Sequence, residues 1–185
     1  MRQNAFRNLP IVGVEDGSFQ KGTTRRTTLA IVLFKGLEIE KIKITKIAVD
    51  GLDATDKLSE VLSAWKFAIV MLASVSVAGF NLIDPTAIHK KFEKPVVVVT
   101  LTRPDNKKVH RALKRHFKDW RMRWKVFEKS GPFYRVVASP DEPPVYVGTI
   151  GADVKWACNL IRSLSVCCRI PEPIRVARLI ARGLS

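Results

Sequence analysis

The chain has few of the residues that build cysteine-based or membrane-embedded proteins. Its 185 residues include three cysteines, Cys158, Cys167 and Cys168, with no Cys-x-x-Cys pair and no histidine nearby. We therefore expect reduced thiols and exclude a disulfide framework and a zinc site of the usual spacing. The apolar run Phe67–Phe80 is too short to span a bilayer, and the start of the chain does not resemble a signal peptide. These absences predict a soluble, cytoplasmic protein.

Acidic residues are also scarce relative to basic ones. Lys and Arg number 32 against 17 Asp and Glu, which gives a net charge of +15 and a pI near 10.1. Such an excess repels itself unless a polyanion neutralises it, so nucleic acid is the expected partner. A basic surface that serves solubility alone is the alternative. The hydrophobic share of 46% predicts one domain over residues 1–185, with residues 1–8 as a loose lead-in.

The sequence patterns of several enzyme classes are missing. His89, His110 and His116 lie on or beside basic stretches, and none follows a recognisable nucleophile turn. This argues against Ser–His–Asp or Cys–His catalysis. Gly13 and Gly17 are not followed by the Gly-Lys-Ser/Thr ending of a phosphate-binding loop. Carboxylates are therefore the remaining candidates for chemistry.

The hydrophobic pattern predicts an α/β fold with a mixed sheet. Three strands joined by short turns come first, over Leu9–Asp16, Arg26–Lys35 and Leu37–Val49. Short apolar strands follow at 67–72 and 96–101, with a loop predicted over 73–81 and a last pair of strands at 133–138 and 145–150. Helices are predicted from about 53 to 66, after Asp84, and over 106–120, 152–166 and 173–183. An antiparallel meander followed by parallel strands with crossover helices is typical of the ribonuclease H-like architecture.

The first predicted strand ends in two adjacent carboxylates, Glu15 and Asp16. Hydrolysis of a phosphodiester with Mg²⁺ needs carboxylates that converge from separate elements, because this hard cation takes oxygen ligands and activates water. Further candidates flank the starts of the first two helices, namely Asp50, Asp53, Asp56 and Asp84. Each has an ordinary alternative, since aspartate is common at turns and helix caps, and Glu15-Asp16 also suits an Asp-Gly turn.

The helix predicted over 106–120 separates its charged and apolar residues. Its apolar face holds Val109, Ala112, Leu113 and Phe117. The opposite face is basic and comprises Lys107, Lys108, Arg111, Lys114, Arg115 and Lys118. With Trp120 and Trp124 beside it, this face predicts contact with a nucleic-acid backbone and stacked bases. The alternative is a solvated helix face next to two core tryptophans.

Several motifs, in order, resemble an archaeal family of unknown function that is related to endonuclease V. They are IVGVEDG at 11–17, DGLDATD at 50–56, AGFNLID at 78–84 and KPVVVV at 94–99. The resemblance extends from Leu9 to about Thr102. A further stretch, PEPIRVAR at 171–178, resembles the closing helix of endonuclease V itself.

Endonuclease V is a ribonuclease H-like nuclease that needs Mg²⁺ and cuts near inosine, so the resemblance implies this fold, a DNA or RNA partner and Mg²⁺ or Mn²⁺. By motif, its strand-one aspartate falls on Glu15, with Asp16 beside it, and its helix glutamate falls near Asp53 or Asp56. Its third acid falls on Ala73, which cannot ligate a metal. Its aromatic-proline wedge is replaced by residues 47–50, so inosine recognition does not carry over.

Two functions of different class remain open on the sequence. In the first, the chain is a divergent metal-dependent nuclease. Its catalytic residues are then Glu15, Asp16, Asp53 and Asp56, and its metal ligands are Glu15, Asp16 and Asp84. In the second, the chain keeps the fold but binds nucleic acid without catalysis, or acts as an accessory protein, which Glu15 and Ala73 favour. Binding to an acidic protein is a third option.

Overall fold

The computed structural model describes Phe6 and residues 8–185, and a seven-stranded mixed sheet forms its centre. Of the predicted lead-in over residues 1–8, only Phe6 and Asn8 lie within the described residues. The strands are β1 Pro10–Asp16, β2 Arg26–Lys35, β3 Glu38–Ala48, β4 Ile69–Leu72, β5 Ser76–Val77, β6 Asn81–Leu82, β7 Val96–Thr100, β8 Tyr134–Val136 and β9 Val145–Ile150. The main sheet has the order β3-β2-β1-β4-β7-β9-β8, while β5 and β6 form a separate two-stranded ribbon.

Helices cover both faces of this sheet. They are α1 Ala54–Ser63, α2 Pro85–Phe92, α3 Asn106–His116, α4 Trp120–Lys129, α5 Val154–Leu164 and α6 Glu172–Gly183. Within the described range, no helix is long and apolar enough to cross a membrane.

The strand directions confirm the predicted mixed sheet. β1, β2 and β3 form an antiparallel meander, and β1, β4 and β7 run parallel to one another. β9 then pairs antiparallel with both β7 and β8. The inner strands read as apolar runs because they are covered on both faces. Val12 and Val14 pack in the core cluster on one face, while Ile11 packs in the cluster on the other.

Helix α6 lies unusually close to β1, and Gly13 makes this approach possible. A Cβ atom at position 13 would come within 2.1 Å of the carbonyl oxygen of Pro173. Farther along α6, Ala177 and Ala181 are buried in a small cluster against β2. These small residues let the helix backbone rest on the strands, which brings the side chains of α6 to the tip of β1.

Two predicted elements differ in the structure. The helix predicted over 106–120 is two helices, because Phe117 adopts an extended conformation and its ring packs edge-on against Phe80 at a centroid distance of 5.4 Å. Phe117 also continues the apolar face of α3, so its hydrophobic spacing could not reveal the break. The loop predicted over 73–81 contains β5 and the start of β6 instead, joined by a tight turn with positive φ at Ala78 and Gly79.

Candidate functional site

A cleft of about 700 Å³ opens where β4 and β7 end. Open sheets with parallel strands commonly bind ligands at the carboxyl ends of those strands. Its charged lining residues are Arg103, Asp105, Lys108 and Arg178, and aromatic rings from Phe80, Phe127 and Phe133 line it as well. The cleft therefore offers positive charge and apolar surface at one place.

Glu15 and Arg178 form a buried ion pair at the tip of β1. Glu15 is 6% exposed. Both Nε and Nη2 of Arg178 lie 2.8 Å from Oε2 of Glu15. Burial raises the pKa of Glu15 to about 7; the guanidinium of Arg178 opposes this rise, and the neighbouring Asp16 adds to it. Glu15 thus depends on one cation that is supplied by α6.

Asp16 has a different partner. Its Oδ2 accepts a hydrogen bond of 2.6 Å from the backbone N–H of Ala78, in the turn between β5 and β6. The same turn is held by Asp50, whose Oδ1 accepts from the N–H of Phe80 at 2.8 Å. Asp50 has a positive φ of 57°. Asp16 and Asp50 therefore fasten the β5–β6 ribbon to the sheet.

Asp53 lies just before α1 in a third environment. Its Oδ1 accepts from Nδ2 of the buried Asn81 at 2.6 Å and from the N–H of Ala48 at 3.1 Å. Its Oδ2 lies 3.2 Å from Nη2 of Arg26. Burial by itself raises the pKa of Asp53, but the hydrogen bonds from Asn81 and Ala48 outweigh it, so the pKa is lowered. These contacts link β3, the start of α1 and β6 through the carboxylate of Asp53.

The other two predicted acids serve or flank helix starts. The carboxylate of Asp84 accepts from the N–H groups of Thr86 and Ala87 at 2.9 and 3.0 Å, which confirms the predicted cap of α2. Asp56 is exposed in the first turn of α1. Neither observation directs these side chains to the tip of β1.

These residues do not form an assembled metal centre of the kind that the resemblance implies. Within the described residues, no three His, Cys, Asp or Glu side chains are close enough together to hold an ion. The predicted set Glu15, Asp16 and Asp84 is therefore not gathered at one point. Ala73 lies next to the end of β1, where the resemblance places the third acid, because its N–H donates to the carbonyl of Val14 at 3.2 Å. Its methyl group offers no oxygen there.

The basic face of α3 is exposed, as its spacing predicted. Five residues of the predicted face lie on α3 and are open to solvent, while the sixth, Lys118, is exposed just after the helix ends: Lys107, Lys108, Arg111, Lys114, Arg115 and Lys118. Lys107, Arg111, Lys114 and Arg115 line a shallow groove along the helix together with His110. Trp120 and Trp124 are half-buried, and both pack edge-on against the ring of His110, at centroid distances of 5.3 and 4.8 Å. They brace α3 against α4.

Three residues of the site received no role from the sequence. Arg178 ends the stretch over 171–178 that resembles the closing helix of endonuclease V, and Asn81 is part of the motif over 78–84, but neither had a role of its own. Arg123, which is 5% exposed, donates from Nη1 to the carbonyls of Gly51 and Phe80 at 2.9 and 2.5 Å. An arginine within an otherwise basic segment gives no signal of burial, so only the fold identifies its partners.

Similar proteins support this fold and its ancestry. A UPF0215 protein of Methanothermobacter thermautotrophicus is 30% identical over 194 residues, which cover 100% of this chain and 94% of the relative. A solved protein of unknown function from Archaeoglobus fulgidus is 29% identical with a TM-score of 0.82, covering 94% of this chain and 96% of that chain.

Endonuclease V from Ciona intestinalis, solved with a 24mer DNA containing an inosine followed by a ribo-adenosine, gives a TM-score of 0.62 at 13% identity. The likeness covers 98% of this chain and 94% of that chain and shows the fold alone. The predicted ribonuclease H-like fold is thereby confirmed. Residues 7–185 match the model of the endonuclease dU family, to which this chain belongs.

Proposed function

We propose that the protein binds nucleic acid along the exposed basic face of α3 and the adjoining cleft, without needing an assembled metal centre. One observation carries this proposal: five basic side chains lie exposed on α3 and a sixth, Lys118, lies exposed just after it, and the first residues of α3 also line a cleft at the ends of β4 and β7. Such a surface binds the phosphates of a nucleic acid whatever its base sequence, because neutralising the phosphates releases their counterions. The net charge of +15 acts in the same direction.

The relatives support a nucleic-acid partner. The Ciona endonuclease V with the same fold was solved bound to DNA. The family description, endonuclease dU, is that of a protein that acts on nucleic acid. Binding is the part of such an activity that depends on basic surface and cleft rather than on metal ligands. Because Glu15, Asp16 and Asp53 are already engaged with protein groups, we expect binding in the absence of divalent ions.

The test is the salt dependence of binding to labelled DNA and RNA, single-stranded and duplex, in EDTA. The wild-type affinity should fall steeply as salt rises. In the double variant Arg111→Ala/Arg115→Ala the affinity should fall about tenfold or more at low salt, and the slope against log salt should decrease by roughly one to two.

The matched control is Lys41→Ala/Lys43→Ala, which removes the same charge from the exposed strand β3 at the far edge of the sheet. It should weaken binding much less than the α3 variant. Equal losses in the two variants would mean that net charge alone causes the attraction. A wild-type affinity that does not respond to salt would overturn the proposal.

A divergent nuclease with Mg²⁺ or Mn²⁺ is the second candidate, favoured by one feature. Glu15 and Asp16 stand side by side at the tip of β1, and the pKa of Glu15 is raised by burial and by Asp16. The proposed catalytic residues are then Glu15, Asp16, Asp53 and Asp56, with Asp84 as a further metal ligand. Cleavage of dU- or inosine-containing DNA or RNA in Mg²⁺ or Mn²⁺, lost in Asp16→Asn, would establish this function. No cleavage together with retained binding would leave the binding function.

Two further predictions accompany either function. The chain forms one endonuclease V-like domain over residues 1–185. The protein works in the cytoplasm, with Cys158, Cys167 and Cys168 reduced. Limited proteolysis and cell fractionation test these two statements separately.

A further inference from the structure

The ion pair at the tip of β1 brings a fixed positive charge to the edge of the cleft. The side chains of Glu15 and Arg178 are 8% and 21% exposed. Two nitrogens of the guanidinium approach the same carboxylate oxygen, each at 2.8 Å. Arg178 lines the cleft, so the pair has the buried acid on its inner side and the open cleft on its outer side.

Ala73, which lies next to this pair, also disfavours the binding of a cation. Val14 pairs with Leu72 in the parallel register of β1 and β4, so Ala73 follows β4 close to Glu15. Ala73 and Arg178 both line the cleft. A divalent ion placed here would find Glu15 already neutralised and a methyl group at position 73. Two separate features of the sequence thus oppose an ion at the same place.

We propose that Arg178 occupies the cation position beside Glu15, so that its guanidinium neutralises this acid and keeps divalent ions out of the cleft. A guanidinium is always charged, and as part of the chain it is present at the acid without a loss of binding entropy. A free divalent ion must displace it before it can exchange part of its water shell for the oxygens of Glu15 and Asp16. The inference goes beyond nucleic-acid binding and does not depend on it.

The experiment measures Mn²⁺ binding to the full chain at pH 7.5 by titration calorimetry and by the loss of the free-ion electron paramagnetic resonance signal. The wild type should bind no Mn²⁺ at low millimolar concentration. Arg178→Ala should bind, because Glu15 loses its partner beside Asp16. Adding an oxygen ligand in Ala73→Asp/Arg178→Ala should tighten binding by about tenfold or more over Arg178→Ala. Glu15→Gln/Arg178→Ala should lose the gain.

Arg175→Ala is the matched control on the same helix. Arg175 pairs with Glu172 at 2.7 Å and not with Glu15, so its removal should leave Mn²⁺ binding unchanged from the wild type. Arg178→Met keeps roughly the aliphatic part of the side chain without the charge, and it replaces Arg178→Ala if circular dichroism shows that the alanine variant is unfolded. Wild-type binding as tight as that of the Arg178 variants would overturn the inference, as would folded variants that gain no Mn²⁺.

The measurement separates this inference from the proposed function because no nucleic acid is present. If α3 fails to bind nucleic acid, the Mn²⁺ result still stands. If the Arg178 variants gain no Mn²⁺ while the wild type binds DNA or RNA in EDTA, the role of Arg178 is wrong and the nucleic-acid interface is retained.

Discussion

Glu15 and Asp53, two acids that the sequence predicts for one catalytic site, lie in opposite electrostatic environments. Asp53 has a side chain that is 31% exposed, and fixed donors from Asn81 and Ala48 lower its pKa despite some burial. Glu15 is nearly enclosed, and its pKa rises to about 7 although Arg178 is in contact. Fixed backbone and amide donors make Asp53 a structural acid. Glu15 depends on a single side-chain cation, and its environment therefore changes when that cation moves.

Removing the structural acid should produce the largest loss of stability. Asp53→Ala removes the acceptor of the Ala48 N–H and one of the two acceptors of the buried Asn81 amide, which keeps only the carbonyl of Ala48. We expect the free energy of unfolding at pH 7 to fall by about 2 to 3 kcal/mol. Chemical denaturation measures it. The control is Asp56→Ala in the first turn of α1, three residues farther on, where the exposed side chain should change stability by about 0.5 kcal/mol or less. Similar losses in the two variants would contradict a structural role for Asp53.

The second largest effect should be a difference between Glu15 and Asp53 in how they make stability depend on pH. The pKa of Glu15 is raised in the folded protein, from 4.5 to about 7, so the folded state binds more protons than the unfolded state in that interval. The free energy of unfolding should therefore fall as pH rises from 5 to 7.

In Glu15→Gln this fall should shrink by about 1 to 3 kcal/mol, since the amide does not titrate. Denaturation curves of both proteins at pH 5 and pH 7 provide the measurement. Asp53 behaves in the opposite way: its pKa is lowered, so its contribution is present near neutral pH and is lost on acidification. Parallel pH profiles for the wild type and Glu15→Gln would show that Glu15 is not the titrating group.

The smallest effect is expected for the cation beside Asp53. Arg26 is half-exposed, with 53% of its side chain open to solvent, and Asp53 keeps its fixed donors without it. Arg26→Ala should cost about 0 to 1 kcal/mol of unfolding free energy in denaturant titrations. A cost as large as that of Asp53→Ala would mean that Asp53, like Glu15, depends chiefly on its cation.

The sequence predicted the sheet well, because strand periodicity and short turns are local signals. The bounds of β2 match the prediction over Arg26–Lys35, and Glu15 and Asp16 end β1 as predicted. The break in α3 at Phe117 was missed, since it arises from packing of that ring against Phe80. The spacing of apolar residues cannot show where a helix ends when the next apolar side chain keeps the spacing but packs against a different part of the fold.

The partners of the acids could not be predicted in the same way. Arg178 is separated from Glu15 by 163 positions, and Asn81 from Asp53 by 28. Whether a carboxylate holds a metal, caps a helix or pairs with arginine depends on such distant partners. The family motifs predicted which acids belong to the site, and Ala73 predicted that one of them is missing; both statements stay predictions. The ion pair between Arg178 and Glu15 depends on the packing of α6 against β1, which no local pattern in the sequence shows.

The most direct test of this account compares nucleic-acid affinity in EDTA and in Mg²⁺ at equal ionic strength, with the integrity of the labelled strand followed by gel. Binding through α3 and the cleft predicts an affinity in Mg²⁺ that is no higher than in EDTA, because Mg²⁺ only competes for the phosphates, and it predicts an intact strand. Binding that appears only with Mg²⁺, or cleavage that Asp16→Asn abolishes, would contradict an interface that works without an assembled metal centre.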